Sequence, residues 1–123
     1  MEDYERRRDR ALRAATGDFR RALRMMRSRD PQALEDGFGL LRDMCREHVS
    51  ELLVEYGRET DRRTRFLLLE LIGETRSVLA VDVLAAELLN EDEVFCSRAE
   101  RGLRLLDTPE ARQLLWRHRS SRA

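Results

Sequence analysis

The residues in this chain best suited to catalysis or metal binding are two cysteines and two histidines. Cys45 and Cys96 form no CxxC pair, and His48 and His118 show neither an HExxH motif nor a zinc-type Cys/His spacing. We expect both cysteines to be reduced and mostly buried, because a free cysteine behaves as a small hydrophobe. A disulfide or a metal site is the alternative interpretation of the cysteines. Both histidines are expected to be structural or to lie on the surface.

Other patterns that carry chemistry are missing from the sequence. There is no GxGxxG motif and no P-loop, so no nucleotide site is indicated. Serine and threonine are few and mostly fall where helices are expected to begin, and the many carboxylates are expected on solvated faces. The sequence therefore predicts a protein that is not an enzyme, with no catalytic residue, no cofactor and no metal.

The composition favours a helical fold. The chain has 123 residues, enough for one domain with one core, and 41% of them are hydrophobic. Six glycines and two prolines are too few for a β-sandwich, while Leu, Ala, Arg and Glu are strong helix formers. No stretch of about 18 apolar residues could span a bilayer, and the charged start is unlike a secretory signal. We expect an all-α, cytoplasmic protein without a membrane contact.

The charge is unevenly distributed, although its sum is zero. Residues 1–29 hold ten Arg against five acids, residues 30–110 hold ten Arg against nineteen, and residues 111–123 hold four Arg and no acid. All 24 cations are Arg, which suggests the codon bias of a GC-rich genome. Arg is therefore less informative about phosphate or carboxylate recognition than it usually is.

A repeat of 31 residues organises the chain. Asp30, Asp61 and Asp92 share this offset, as do sets of apolar or small residues: Leu41, Ile72 and Leu103; Gly37, Leu68 and Ala99; Val49, Ala80 and Ala111; Leu53, Leu84 and Leu115. Each acid is expected to cap a first helix, and Ser50, Ser77 and Thr108 are expected to begin the second. Gly73 is expected to end the middle first helix in a left-handed conformation. We predict repeats at 30–60, 61–91 and 92–119, with a disordered tail at 120–123.

Residues 1–29 are expected to form N-terminal capping helices. An apolar stripe runs through them, with Arg on the other faces, as the end of a helical stack requires: Leu12, Ala15, Phe19, Ala22, Leu23 and Met26. The segment "TGD" at 16–18 predicts a break, in which Gly17 ends one helix and Asp18 caps the next. A single long helix is the alternative.

Paired short helices at this period resemble the compact HEAT-like repeats of bacteria, the type also found in phycobilisome lyases. The middle repeat, "DRRTRFLLLELIG", carries the opening Asp61, the Arg65 that commonly follows and the closing Gly73. The third keeps Asp92, but Cys96 replaces the Arg. The resemblance covers residues 30–118 and implies a short right-handed α-α superhelix of three two-helix repeats. It also raises a chromophore-enzyme interpretation, which so short a chain disfavours.

The apolar run in "TRFLLLELIG" agrees with this placement. A helix that is apolar almost all round must be covered almost all round, and only an internal repeat has a neighbour on both sides. We expect Leu68 and Ile72 in the core, with Glu70 as the wet position on the convex side.

The resemblance further implies a binding surface, because the second helices line the concave face of such stacks. The 31-residue offset places Glu51 with Asp82, Val54 with Trp116, and Glu55 with Arg117. The leading row is acidic, which disfavours nucleic acid and suits a basic protein partner. Trp116 is expected to anchor the partner or to pack over the end of the stack. The predicted partner-binding residues are Glu51, Val54, Glu55, Arg58, Asp82, Arg112, Trp116 and Arg117.

The predicted function is thus a non-catalytic protein-interaction module. One such use, by analogy of fold, is an immunity protein that neutralises a bacterial toxin. The alternatives are a nucleic-acid binder that uses the Arg-rich terminal helices, and a structural module that oligomerises end to end. The sequence fixes neither the partner nor the oligomeric state.

Overall fold

A computed structural model describes residues 2–122, with side chains from residue 3 onward, and within this range it contains helices and no strand. The all-α expectation is confirmed. The α-helices are α1 Glu2–Met26, α2 Pro31–Met44, α3 Val49–Arg58, α4 Arg62–Glu74, α5 Val81–Glu87, α6 Glu93–Leu106 and α7 Pro109–Arg122, with 3₁₀ turns at Cys45–Glu47 and Val78–Ala80. The chain divides into two compact units, one up to residue 44 and one from residue 45.

Helices begin at the predicted 31-residue interval. Pro31, Arg62 and Glu93 are the first residues of α2, α4 and α6. Their caps are the predicted acids: Asp30 accepts a hydrogen bond from the Ala33 N–H at 3.2 Å, Asp61 from the Thr64 N–H at 3.0 Å, and Asp92 from the Val94 N–H at 3.0 Å. Thr108 accepts from the Ala111 N–H at 3.1 Å, which confirms it as the cap of α7.

The break expected at "TGD" is wrong, because α1 is one helix of 25 residues. An interior glycine costs a helix only about 1 kcal/mol, and the hydroxyl of Thr16 donates to the Leu12 carbonyl at 3.0 Å within the helix. Every described side chain from 3 to 18 is exposed. The predicted stripe is therefore buried only in its second half, at Phe19, Ala22, Leu23 and Met26.

Three further expectations about helix ends are wrong. Gly73 lies inside α4, and the left-handed conformation falls instead at Arg76 and Asp107, each with φ of 51°. Ser50 lies inside α3, one residue after its start. Residues 120–122 continue α7 rather than forming a disordered tail, while Ala123 lies outside the described residues.

Helix α4 forms the centre of the second unit. Leu68, Leu69, Leu71 and Ile72 have no exposed surface, so the expected core is confirmed. Glu70 is not a wet position: its side chain is 18% exposed and pairs with Arg98 of α6 at 3.0 Å. Arg98 covers the ring of Phe66, whose edge contacts Phe95 with a centroid separation of 5.9 Å.

Helix α4 packs on α6 at two glycines. A Cβ on Gly102 would lie 3.1 Å from the Gly73 Cα and 3.0 Å from a methyl group of Leu84. The role of Gly73 is thus to allow close approach of two backbones rather than to end a helix.

In the first unit, α2 approaches α1 through Gly37. A Cβ there would lie 2.4 Å from the backbone nitrogen of Met26 and 2.7 Å from the Ala22 carbonyl oxygen. Backbone atoms cannot yield as a flexible side chain can. The glycine at position 37 therefore follows from the crossing of the two helices.

Two glycines of α2 give opposite predictions. Gly37→Ala should lower the free energy of unfolding by about 1–3 kcal/mol, because the methyl group overlaps the α1 backbone. Gly39→Ala should raise it by roughly 0.5–1 kcal/mol, since no atom lies within 4 Å of its added Cβ. Urea unfolding of both variants measures the difference. Equal midpoints for the two variants would contradict the crossing at Gly37.

Candidate functional site

The eight predicted partner-binding residues all lie in the second unit, on three helices. Glu51, Val54, Glu55 and Arg58 are on α3, Asp82 is on α5, and Arg112, Trp116 and Arg117 are on α7. Helix α3 packs against α4, whereas α7 packs against α6. A partner would therefore have to span both packed pairs to contact the whole set.

Glu51, Glu55 and Arg112, among the predicted charges, already interact within the chain. Glu51 pairs with the buried His48, and Arg112 pairs with Asp107 at 3.0 Å. Asp82, Arg58 and Arg117 are exposed, and Glu51 and Glu55 are half-buried. The acidic row is therefore weaker than the sequence alone suggests.

Trp116 is exposed. Its relative exposure is 68%, and that of Val54, one end of the same predicted row, is 49%. Packing over the end of the stack, the alternative role considered for Trp116, would bury the indole and is not what the described chain shows. The role of Trp116 as an anchor for a partner remains a prediction.

A second cluster joins α6 and α7 and was not predicted. Cys96 and Glu100 lie one turn apart on α6, and His118 reaches them from α7. The Cys96 Sγ lies 3.5 Å from the His118 Nε2 and 3.8 Å from a Glu100 carboxylate oxygen, which lies 3.4 Å from the same Nε2. Cys96 is buried, and the His118 side chain is 9% exposed. The expectation of buried, reduced cysteines holds, and His118 lies in a polar cluster rather than alone.

Arg122 closes this cluster from the last turn of α7. Its Nη1 lies 3.4 Å from the His118 Nε2, 3.7 Å from the Cys96 Sγ and 3.7 Å from the Glu100 carboxylate. A surface cavity of about 300 Å³ adjoins it and is lined by Leu88, Leu89, Asn90, Glu91, Glu93, Cys96, His118, Ser121 and Arg122.

The cysteine is not poised as a nucleophile. Burial, followed by the nearby Glu100 carboxylate, raises the pKa of the Cys96 thiol above its ordinary value. The thiol also lies 3.4 Å from the Leu88 carbonyl, to which it can donate. A protonated thiol is a weak attacking group, so the geometry gives no support to cysteine-based catalysis.

No match to this chain was found among protein-family models, curated proteins or solved structures.

The same 31-residue offset relates this cluster to a pair of residues on α4 and α5. Subtracting 31 from Cys96 and His118 gives Arg65 and Glu87, whose side chains pair at 3.8 Å. The guanidinium of Arg65 also donates to the carbonyls of Tyr56 at 2.8 Å and Glu59 at 2.9 Å, which satisfies the end of α3. The offset from Arg65 to Cys96 was visible in the sequence, but the pairing of Arg65 with Glu87 was not.

Tyr56 completes the Arg65 cluster. The Arg65 guanidinium lies 4.1 Å from the centre of its ring, a cation–π arrangement. Burial, together with the Glu87 carboxylate, raises the pKa of Tyr56 to about 12 from its ordinary value of 10.0. The phenol therefore stays neutral in the folded chain at pH values where it would ionise in the unfolded chain.

This shift predicts a loss of stability at alkaline pH. A folded pKa above the unfolded one stabilises the fold below pH 10, and this contribution, roughly 2–3 kcal/mol, disappears as pH rises through about 12. Urea unfolding of the wild type and of Tyr56→Phe across this window measures it. As pH rises, the wild type should lose stability faster than the Tyr56→Phe variant. The variant retains Tyr4, which is exposed. Parallel curves would contradict the shift.

Proposed function

We propose that this chain is a non-catalytic protein-interaction module, built as a short right-handed HEAT-like solenoid of three two-helix repeats. The recurrence of acid-capped helix starts every 31 residues supports this architecture, as does the packing of α4 on α6, the corresponding helices of successive repeats. Solenoids with this period present their second helices as a surface for partners.

The exposed Trp116 carries the proposal. A tryptophan contributes a large apolar area at little cost in side-chain entropy, which is why it is frequent at the centres of protein interfaces. Here it is 68% exposed on a helix whose flanking residues Arg112 and Arg117 are also exposed. An indole held outward by a regular helix is already ordered for docking, so less ordering is needed on binding.

The charges define the kind of partner. Glu55 and Asp82, together with Glu51, which also pairs with His48, suit a partner that carries basic groups. Arg residues of α7 lie near Trp116, which provides the apolar contact. Such charges act mainly on the rate of encounter and on specificity. Neutralisation of a bacterial toxin by an immunity protein is one function of this type, supported by the resemblance to HEAT-like repeats alone.

Co-purification tests this proposal. We expect the tagged full chain to retain a protein from its native host, and Trp116→Ala to lose it. Val94→Ala, which removes an exposed apolar residue from α6, is the matched control and should retain the partner. Reversal of Glu51, Glu55 and Asp82 to Lys should slow association more than it speeds dissociation. A wild type that retains nothing, or equal retention by both single variants, would reject the interface.

A nucleic-acid function is the second candidate, favoured by one feature of α1. Arg6, Arg10, Arg13, Arg20 and Arg24 recur at helical spacing along it, and all are exposed. The whole of α1, residues 2–26, however, holds eight Arg against five acids, a net charge of +3, which is modest for phosphate binding. Binding in a gel shift at physiological salt tighter than roughly 10 μM would favour this candidate.

A further inference from the structure

We propose that Cys96, Glu100 and His118 bind a zinc ion between α6 and α7. The three donor atoms are 3.4, 3.5 and 3.8 Å apart. Zinc bonds of about 2.3 Å to sulfur and about 2.0–2.2 Å to nitrogen and oxygen, in a tetrahedron, require separations of about 3.3–3.7 Å. The cluster thus already has nearly the spacing of one face of a zinc tetrahedron.

The chemical types of the three donor atoms indicate which metal they would bind. One thiolate, one imidazole and one carboxylate suit zinc, whereas magnesium and calcium take oxygen ligands. Cys96 and Glu100, four residues apart, share one face of α6, and His118 comes from a helix that packs on it. A bound zinc ion would therefore link α6 to α7 rather than occupy a site on one helix alone.

Arg122 already places a positive charge beside the three donor atoms. Its Nη1 is 3.4–3.7 Å from all three donor atoms, so a cationic group already lies against them. The Arg122 side chain is 52% exposed and also pairs with Glu93 at 3.5 Å, a partner it can keep when it swings away. The adjoining cavity of about 300 Å³ leaves room for a water molecule as the fourth ligand.

Comparison with the preceding proposed repeat argues against a chance grouping of Cys96, Glu100 and His118. At the corresponding positions Arg65 of α4 and Glu87 of α5 form an ion pair at 3.8 Å. The last repeat has a thiol and an imidazole there instead, with Glu100 in the place of the buried Leu69. Cys96 and Glu100 thus place metal-ligating groups where Arg65 and Leu69 offer none, and His118 offers an imidazole where Glu87 offers a carboxylate.

Cobalt provides the spectroscopic test, because a thiolate bound to Co²⁺ gives a ligand-to-metal charge-transfer band and tetrahedral Co²⁺ gives intense visible bands. We expect the purified, reduced full chain to bind one equivalent of CoCl₂ with both signatures, and ZnCl₂ to displace it. Cys96→Ser should abolish the charge-transfer band. Cys45→Ser, which removes the other buried thiol, should leave it unchanged.

The remaining variants separate a metal site from a hydrogen-bonded cluster. Glu100→Gln and His118→Gln should each weaken Co²⁺ binding by at least about 10-fold. Arg122→Gln should strengthen it, because it removes the competing cation. Circular dichroism verifies folding, and if Cys96→Ser is unfolded, the half-exposed Glu100 and Arg122 variants decide the question.

Two results would overturn the site. One is the absence of a charge-transfer band at millimolar CoCl₂ in the folded wild type. The other is equal Co²⁺ binding by the wild type and a folded Glu100→Gln or Cys96→Ser variant. Neither readout depends on a partner protein, so the zinc site can fail while the interaction surface stands, and the reverse.

Discussion

The second unit depends on the close approach of α4 and α6 at Gly73 and Gly102. A Cβ on Gly102 would meet the Gly73 Cα at 3.1 Å, closer than an ordinary van der Waals contact, so a side chain there would require its neighbours to shift. The same approach brings Leu84 of α5 within 3.0 Å of that position. Because α6 contacts α4, α5 and α7, its placement decides where the remaining helices of the unit lie.

Charged side chains align the two helices without being the main source of stability. Arg62–Asp92, Glu70–Arg98 and Glu74–Arg101 cross from α4 to α6 at 2.7, 3.0 and 3.4 Å. Pairs as exposed as these contribute less to stability than one well-buried leucine. The Arg62–Asp92 pair has an added effect: Arg62, more than the cap bonds of α6, lowers the pKa of Asp92 and so couples the start of one helix to the next.

Local signals predicted the starts of α2, α4 and α6 well, and tertiary contacts explain most of what was missed. Asp61 and Asp92 cap helices through their own neighbours, so spacing and residue type were sufficient. Gly17 and Gly73 were misread because glycine has several uses: one is tolerated inside a long helix, and the other permits a backbone contact with Gly102. The Cys96 cluster escaped because its ion-paired counterpart, Arg65 with Glu87, is recognisable only once both helices are placed.

Helix α7 connects the two proposed sites. Trp116 and His118 are two residues apart, which turns them by about 200° around the helix. His118 accordingly faces α6 with 9% of its side chain exposed, while Trp116 faces outward. The face of α7 that carries His118 also buries Ala111 and Leu115, and this rotation of the helix turns the indole outward. A bound ion would hold this direction more firmly than hydrogen bonds, and it would make the surface for a partner sensitive to metal.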